Sequence, residues 1–573
     1  MKKLTLNLLT LGIAAIVLSS CGGLSKMVEN SSTVKYVVTP SPLETHGGQV
    51  EVTIKTTFPE KYFNKKAVVT ATPVIKYEGG QTEYESTVLQ GESVEANNKV
   101  IPYTGGDYTF TGKVPYNDAM LKSELVVEMS AQIKDKEPVP IPGIKIADGV
   151  IATSTLVHNK PKAILMGDKF QRITPETYDA EILYVINKAD VRNSELKKDE
   201  IKEFQTKIAT AAKDSSIEIK DAKISSYASP DGAYDLNERL SGNRGTSAER
   251  YLNRTLKQMK VEGYDVEGFL NKVETAEDWD GFKKLMEASD IQDKELILRV
   301  LSMYSDPAVR EKEIKNIAQA FEEIKVKVLP ALRRSQMMID VENIGYSDEQ
   351  IKALAAKNPD TLKLEEILYA ATLTDDNAEK LRIYQVAAKN FPQCVRAINN
   401  VGYISMEMGD LDGAKAAFQK AQSIKDIDIV KNNLGAVALA EGDLGAAEKL
   451  FTSAMGAGDA VNYNLGIIKI KQGDYTAAVN YFGNKPSFNA GLAQLLNGDV
   501  DKCLTTLGEL GDTDCAKVYY LKAVAGARGS KDEVVINNLR KAIEKDAKLK
   551  DYAKKDAEFL SYAANEAFVG IVE

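Results

Sequence analysis

Residues 433–454 read NLGAVALAEGDLGAAEKLFTSA, and the pattern they contain recurs on both sides of the stretch. Each copy has an Asn, a Gly two residues later, a Gly-Asp pair, an Ala and a Phe at constant spacing. The preceding copy starts at Asn400, 33 residues earlier, and the following copy starts at Asn464, 31 residues later. A period of this length, with small and aromatic residues at fixed offsets, predicts a stack of helix pairs.

The three copies resemble the tetratricopeptide repeat. Gly402, Gly435 and Gly466 would let the two helices of a repeat touch, and Phe418, Phe451 and Phe482 would fill the gap to the next repeat. A weaker copy starts at Asn489. The resemblance implies an all-α tetratricopeptide solenoid over residues 343–573, capped by residues 549–567, with a concave surface for a protein partner.

One Asn recurs at the same repeat position in each copy, and we take these residues as candidates for the concave face: Asn400, Asn433, Asn464 and Asn489. Two interpretations are open. The side chains form hydrogen bonds within the repeats, or they hold the backbone of a bound peptide.

The amino terminus has the features of an export signal. Lys2 and Lys3 precede an apolar run, and residues 1–20 are interpreted as a signal peptide. The following Leu-Ser-Ser-Cys21 resembles the lipobox of bacterial lipoproteins, which implies acylation of Cys21 and a tether over residues 21–32. The residues after Cys21 have neither the Asp that favours inner-membrane retention nor the acidic run that signals surface export. We therefore expect a lipid-anchored protein of the outer membrane that faces the periplasm.

Two further regions precede the repeats. Residues 33–155 contain short β-branched or alternating runs separated by Gly and Pro turns, which predict an antiparallel β-sandwich, and residues 156–178 are interpreted as a connector. Residues 179–342 show strand, helix, strand, turn and helix, with a helical insertion at about 275–330 before a last strand. This order is typical of an α/β domain whose ligands bind at the ends of strands. The chain is therefore predicted to be multidomain.

The turn of this α/β region carries a motif that resembles OmpA-like peptidoglycan-binding domains. Tyr227, Gly232, Asn237, Leu240-Ser241 and Arg244 follow the family's spacing. The resemblance implies that Arg244 and a loop Asp clamp the amino-acid end of diaminopimelate in a stem peptide, since a zwitterion needs one cation and one anion.

The motif departs from the family pattern at the acidic position. Ser229 stands where the family has Asp, and Asp231 lies two residues further on. Ser229 and Asp231 are therefore candidate ligand residues beside Arg244, and Asn237 is a candidate for holding the loop. The alternative is that Ser229 caps the helix, with Pro230 at its first position. Arg244 could likewise be an ordinary surface residue of the helix.

The composition argues against an enzyme. His46 and His158 are the only histidines, and the sequence shows no nucleophile–base pair, no metal-ligand spacing and no cofactor motif. A net charge of −9 argues against nucleic acid as a partner. Cys503 and Cys515 could pair in an oxidising compartment or be buried apolar residues. We expect a scaffold that links the outer membrane to peptidoglycan and to a protein. The alternative is an accessory subunit of an assembly, secretion or transport complex that no longer binds peptidoglycan.

Overall fold

The computed structural model describes residues 23–573, apart from the side chains of residues 318–320. The predicted signal peptide and Cys21 lie outside the described residues. The described chain divides into two compact units. One comprises residues 23–166 and 391–573, and the other comprises residues 167–390.

The first part of the chain is a β-sandwich preceded by helix α1 (Ser25–Glu29). Its strands are β1 (Lys35–Thr39), β2 (Leu43–His46), β3 (Gln49–Phe58), β4 (Val68–Tyr77), β5 (Gly80–Glu83), β6 (Thr87–Gly91), β7 (Lys99–Ile101), β8 (Gly106–Pro115), β9 (Ser123–Gln132), β10 (Val139–Asp148) and β11 (Val150–Ile151). One sheet has the order β1-β3-β2-β11 with β8 also paired to β3, and the other has the order β10-β9-β4-β6-β7 with β5 paired to β4.

The sandwich differs from the prediction in two respects. β11 pairs with β2, and β7 with β6, in parallel, so the sheets are mixed rather than purely antiparallel. The tether predicted over residues 21–32 is also too long, because Leu24 and Met27 are 1% exposed and pack in the sandwich core. Burial of these two side chains draws the chain into the domain immediately after the predicted lipid site.

Residues 173–344 form an α/β domain around a mixed sheet. Its elements are β12 (Ile173–Leu183), α2 (Asn193–Leu196), α3 (Asp199–Ala211), β13 (Ile217–Tyr227), α4 (Tyr234–Gln258), β14 (Leu270–Thr275), α5 (Trp279–Ala288), α6 (Lys294–Met303), α7 (Pro307–Asn316), α8 (Ala318–Lys327), α9 (Leu329–Leu332) and β15 (Arg334–Ile344). The sheet order is β12-β15-β13-β14, with β13 and β14 parallel and the other pairs antiparallel.

The helical insertion forms a small core of its own between β14 and β15. Phe282, Met286 and Ile297 are buried in this core, and Trp279 packs on Phe282 at its edge. The first strand begins at Ile173, six residues before the predicted start of the domain, because β12 pairs with β15 along its whole length. Residues 173–178 therefore belong to this domain and not to the predicted connector.

Three helices follow the α/β domain, namely α10 (Asp348–Lys357), α11 (Leu364–Ala370) and α12 (Asn377–Asn390). They belong to the unit of residues 167–390. Arg172 hydrogen-bonds to Asp348, and Phe170 stacks on Tyr369 with ring centroids 4.5 Å apart. The repeat domain was predicted to start at residue 343. Its first three helices, α10 to α12, instead pack with the segment that precedes β12, and the C-terminal unit resumes at residue 391.

The C-terminal region consists of helices in antiparallel pairs. They are α13 (Val395–Glu407), α14 (Leu411–Ile424), α15 (Asp428–Glu441), α16 (Leu444–Thr452), α17 (Asp459–Gln472), α18 (Tyr475–Phe482), α19 (Phe488–Leu496), α20 (Val500–Gly508), α21 (Ala516–Arg528), α22 (Asp532–Lys545), α23 (Lys548–Ala553) and α24 (Glu566–Val572). Arg528 pairs with Glu558 at 2.6 Å and with Glu44 of β2 at 3.1 Å, which joins the last helices to the sandwich.

The repeated Gly and Phe pack against each other within one repeat. A Cβ added at Gly435 would lie 2.7 Å from the ring of Phe451, and the same relationship joins Gly402 to Phe418. The Phe therefore fills the space between the two helices of its own repeat, whereas the sequence-based prediction placed it in the gap to the next repeat. Glycine allows this approach because it has no side chain.

Candidate functional site

The recurring Asn residues hold an extended strand of the chain itself. The Asn433 Oδ1 accepts the main-chain N–H of Ile164 at 2.7 Å, and its Nδ2 donates to the C=O of Ile164 at 2.8 Å. Asn464 makes the same pair of bonds to Lys162, at 2.7 and 3.0 Å. A side-chain amide can do this because it offers one acceptor and two donor hydrogens, like a neighbouring strand.

The same contact occurs at both ends of the row. Asn400 bonds to the N–H and C=O of Met166 at 2.9 and 2.8 Å, and Asn489 bonds to those of His158 at 2.8 and 2.9 Å. All four Asn side chains are 0–1% exposed. Residues 157–166, which we call the strap, therefore lie along the first helices of successive repeats and run opposite to their order in the chain.

A second row of Asn residues, which was not predicted from the sequence, also donates hydrogen bonds to the strap. Asn399 donates to the Ile164 C=O at 3.1 Å, and Asn432 donates to the Lys162 C=O at 3.0 Å. The rows are also cross-linked, since Asn433 donates to the Asn399 Oδ1 at 2.8 Å. Within a repeat, Asn432 also donates to the Asn433 Oδ1 at 3.1 Å. The main chain that these Asn side chains hold is the protein's own strap. The available signal was the Asn-Asn pair at 399–400 and at 432–433.

Val157 and Ala163 of the strap pack against the hydrophobic core of the repeats, and the His158 Nε2 lies 3.9 Å from the Cys515 Sγ. Aromatic and charged contacts occur at three further points. The His158 ring stacks on Phe488 with centroids 4.0 Å apart, and the Lys162 ammonium lies 4.1 Å from the centre of the Tyr463 ring. Burial, followed by the charge of Lys517, lowers the pKa of His158 and favours its neutral form. Lys160, which is mostly exposed, forms an ion pair with Glu407 at 3.0 Å.

The α/β domain contains a second cluster of polar residues at the end of β13. Arg244 of α4 is 1% exposed and is therefore not a surface residue of the helix. Its Nε donates to the C=O of Lys188 at 3.1 Å, and a terminal nitrogen donates to the C=O of Tyr227 at 2.8 Å. Burial lowers the pKa of Arg244 to about 10, and the carboxylate of Asp231 acts in the opposite direction.

Ser229 and Asp231 lie in the same cluster but bond to a different arginine. Ser229 donates to Asp231, and the Arg333 guanidinium contacts the Ser229 hydroxyl at 3.1 Å and the Asp231 carboxylate at 3.3 Å. Ser229 does not cap α4, because the helix begins at Tyr234 after the turn. Arg333 was not predicted as a member of this cluster, although the Arg333-Arg334 pair before the last strand is visible in the sequence.

The remaining residue of the motif holds the turn. Asn237 is buried, and its Nδ2 donates to the C=O of Gly232 at 3.1 Å. This contact closes the turn onto the first turn of α4. Asn237 thus shapes the loop that carries Ser229 and Asp231, and we assign it no direct ligand contact.

Residues 23–573 contain no cluster of three or more His, Cys, Asp or Glu residues with the geometry to hold a metal ion. Over the same described range, no helix combines the length and apolar character needed to cross a membrane. Cys394, Cys503 and Cys515 are free thiols, so the possible pair between Cys503 and Cys515 is not formed. Burial raises the pKa of Cys503 to about 12, which favours its neutral thiol form.

Comparison with known protein families finds one match, which lies in the C-terminal helical region. A tetratricopeptide-repeat profile matches residues 395–428, which contain α13 and α14. No similar protein was found among curated sequences. The α13–α14 pair therefore matches a tetratricopeptide repeat, and the next two helix pairs carry the same Gly and Phe positions. A repeat of this kind suggests a module for protein–protein interaction.

Several solved structures are similar to part of this chain. A tetratricopeptide-repeat protein from Parabacteroides merdae is 14% identical, over 36% of this chain and 90% of its own, with a TM-score of 0.29. The anaphase-promoting-complex assembly Cut9–Hcn1 is 15% identical, over 56% of this chain and 76% of its own, with a TM-score of 0.32. PilF of Pseudomonas aeruginosa is 13% identical, over 38% and 99%, with a TM-score of 0.30.

Proposed function

We propose that this protein is a non-enzymatic scaffold, anchored to the outer membrane by lipid on Cys21, that contacts peptidoglycan through residues 173–344 and a protein through its repeats. The proposal that the protein binds peptidoglycan rests on one observation. Arg244, Asp231 and Ser229 converge in a single cluster at the end of β13, which offers both charges that a zwitterionic stem-peptide end requires.

A second candidate function is favoured because Arg244 and Asp231 already have hydrogen-bond or ion-pair partners within the protein. Arg244 is buried and bonds to main-chain carbonyls, while Asp231 is paired with Arg333. A ligand would have to replace the Asp231–Arg333 ion pair and open access to Arg244. Under this alternative the protein is an accessory subunit of an outer-membrane assembly, secretion or transport complex, and the α/β domain contacts proteins only.

Sedimentation with purified sacculi distinguishes the two functions. The full chain in detergent should co-sediment with sacculi that contain diaminopimelate, and free diaminopimelate should compete. Asp231→Asn should weaken binding at least tenfold, because it removes the only negative charge among the three candidate ligands. Asp235→Asn, the same change at an exposed position in the first turn of α4, is the matched control. Binding that is absent, or equal in Asp231→Asn and wild type, favours the accessory subunit.

The membrane anchor has a separate test. Labelled palmitate should be incorporated into the wild-type chain in cells and not into Cys21→Ser, and the variant should leave the outer-membrane fraction. Retention of the label in Cys21→Ser would remove the lipid anchor from the proposal.

A further inference from the structure

The repeats bind the strap mainly through its main chain. Asn400, Asn433 and Asn464 bond to the N–H and C=O of every second strap residue, from Met166 to Lys162. These contacts would be offered equally by any extended peptide, because every residue except proline has the same two groups. The row of Asn residues is therefore a binding surface for a strand and does not select one sequence.

The spacing of the contacts along the strap is regular over the first three repeats and changes at the fourth Asn. From Asn400 to Asn433 and from Asn433 to Asn464, steps of 33 and 31 residues, the bonded strap residue changes by two positions each time. From Asn464 to Asn489, a step of 25 residues, the bonded strap residue changes by four positions, from Lys162 to His158. Residue 160 thus has no Asn partner, and the Lys160 side chain reaches Glu407 instead. The strand is held by direct hydrogen bonds at positions 158, 162, 164 and 166.

Selectivity comes from the few strap side chains that the repeats contact. The stacked His158 requires a flat ring at one end, and the Lys162 ammonium over Tyr463 requires a cation near the middle. Leu165 is exposed, and Lys160 and Lys162 are exposed as well, although their ammonium groups reach Glu407 and Tyr463. Their pattern defines an extended, basic segment with an aromatic or imidazole ring four residues before the cation.

We propose that the concave face of the repeats is a docking groove for such a basic extended peptide, and that the strap is a tethered occupant which a partner strand must displace. This inference rests on the protein-binding part of the proposed function. A tethered segment is present at an effective concentration on the order of mM. A free peptide with the same contacts is therefore excluded at micromolar concentration, and a partner that adds contacts outside the groove can displace the strap.

The test uses a fluorescent synthetic peptide with the sequence of residues 156–168 and the full-length protein. The opened variant carries Lys162→Pro and Ile164→Pro, which remove the N–H groups that Asn464 and Asn433 accept. Fluorescence anisotropy should show at least tenfold tighter binding of the peptide to the opened variant than to wild type. A control peptide with the same two Pro substitutions should not bind.

Two further measurements establish where the peptide binds and whether the variants remain folded. Addition of Asn433→Ala and Asn464→Ala to the opened variant should weaken peptide binding at least tenfold, which places the peptide in the groove. Helical circular dichroism at the assay temperature should remain near wild type, whereas the melting temperature should fall because the hydrogen bonds of Asn433 and Asn464 to the strap are lost. If the opened variant unfolds, the strap is a fixed part of the core and the proposal is wrong. It is also wrong if the folded variant binds no better than wild type. Sacculus binding depends on residues 173–344, so its result is independent of this one.

Discussion

Asn433 binds both main-chain polar groups of Ile164, 269 residues away in the sequence, with hydrogen bonds of 2.7 and 2.8 Å. The pairing is that of two adjacent strands, although one partner is a side chain on a helix. It joins the segment that follows the β-sandwich to the middle of the repeat array. Loss of this amide should therefore affect both stability and the position of the strap.

Asn433→Ala should lower the free energy of unfolding by about 4 kcal/mol, because it removes four buried hydrogen bonds, two to Ile164 and one each to Asn399 and Asn432, that contribute about 1 kcal/mol each. Urea unfolding followed by circular dichroism measures the change. Asn484→Ala, at an exposed position beside the repeats, is the control and should remain within about 0.5 kcal/mol of wild type. Equal stability of the two variants would contradict the role assigned to Asn433.

Asn433→Asp tests the donor half of the contact with little change in volume. The carboxylate still accepts the Ile164 N–H, but it faces the Ile164 C=O without a donor hydrogen. We expect a larger loss of stability than for Asn433→Ala at pH 7.5, because a buried charge meets an acceptor. The same urea experiment measures it, and a loss smaller than that of the Ala variant would contradict the assigned donor.

Gly435→Ala should destabilise the repeats by about 1–3 kcal/mol, the usual cost of forcing an extra carbon into a packed core. The new Cβ would lie 2.7 Å from the Phe451 ring. Gly445→Ala is the matched control in the next helix, where a Cβ would meet no atom closer than 3.7 Å. The control should be neutral or stabilising, since Ala favours helix more than Gly does. Thermal melting distinguishes the two, and similar effects would contradict the packing.

The pH dependence of stability should contain a contribution from Asp556. Burial raises the pKa of this carboxyl to about 6, although Tyr520 donates to it at 2.6 Å and the Glu558 N–H donates at 3.0 Å. Because the folded pKa lies above the ordinary value of 3.8, the folded protein holds the proton more tightly than the unfolded chain. The stabilisation is complete below about pH 4 and is lost as the pH rises through 6.

Asp556→Asn removes this titration and isolates its effect. The difference in unfolding free energy between wild type and variant should change between pH 4.5 and pH 7.5 by an amount on the order of 2 kcal/mol, in the direction of a less stable wild type at high pH. Asp551→Asn, at an exposed position in α23, is the control. Urea titrations at the two pH values measure the change, and parallel curves for wild type and Asp556→Asn would rule the contribution out.

The repeat region could be predicted from the sequence because its packing depends on side chains at fixed offsets. Gly435 and Phe451 contact each other within one repeat, so the contact leaves a local and periodic trace. The position of the strap leaves no such trace. Its contacts to Asn400 and Asn489 use the main chain of residues 234 and 331 positions away, and almost any residue could make them. The Asn residues were identified, but their occupant could not be.

The α/β cluster shows a similar limit. The spacing of the motif selected Arg244 and Asp231, which do lie in one cluster. It could not show that Arg333, 102 residues after Asp231, would form the direct ion pair, since only the pairing of β15 with β13 brings them together. Local spacing predicts the members of a site, whereas the pairing among charges depends on the tertiary fold.

Amide hydrogen exchange should detect the strap directly. The N–H groups of Lys162, Ile164 and Met166 donate to buried Asn side chains, so they should exchange more slowly than those of the intervening Ala163 and Leu165. NMR, or mass spectrometry with single-residue fragmentation, resolves this alternation. Asn433→Ala should accelerate exchange at Ile164 by at least tenfold and leave the helix α3 amides, in the other unit, unchanged. Uniformly fast exchange from Lys162 to Met166 in wild type would show that the strap does not occupy the groove in solution.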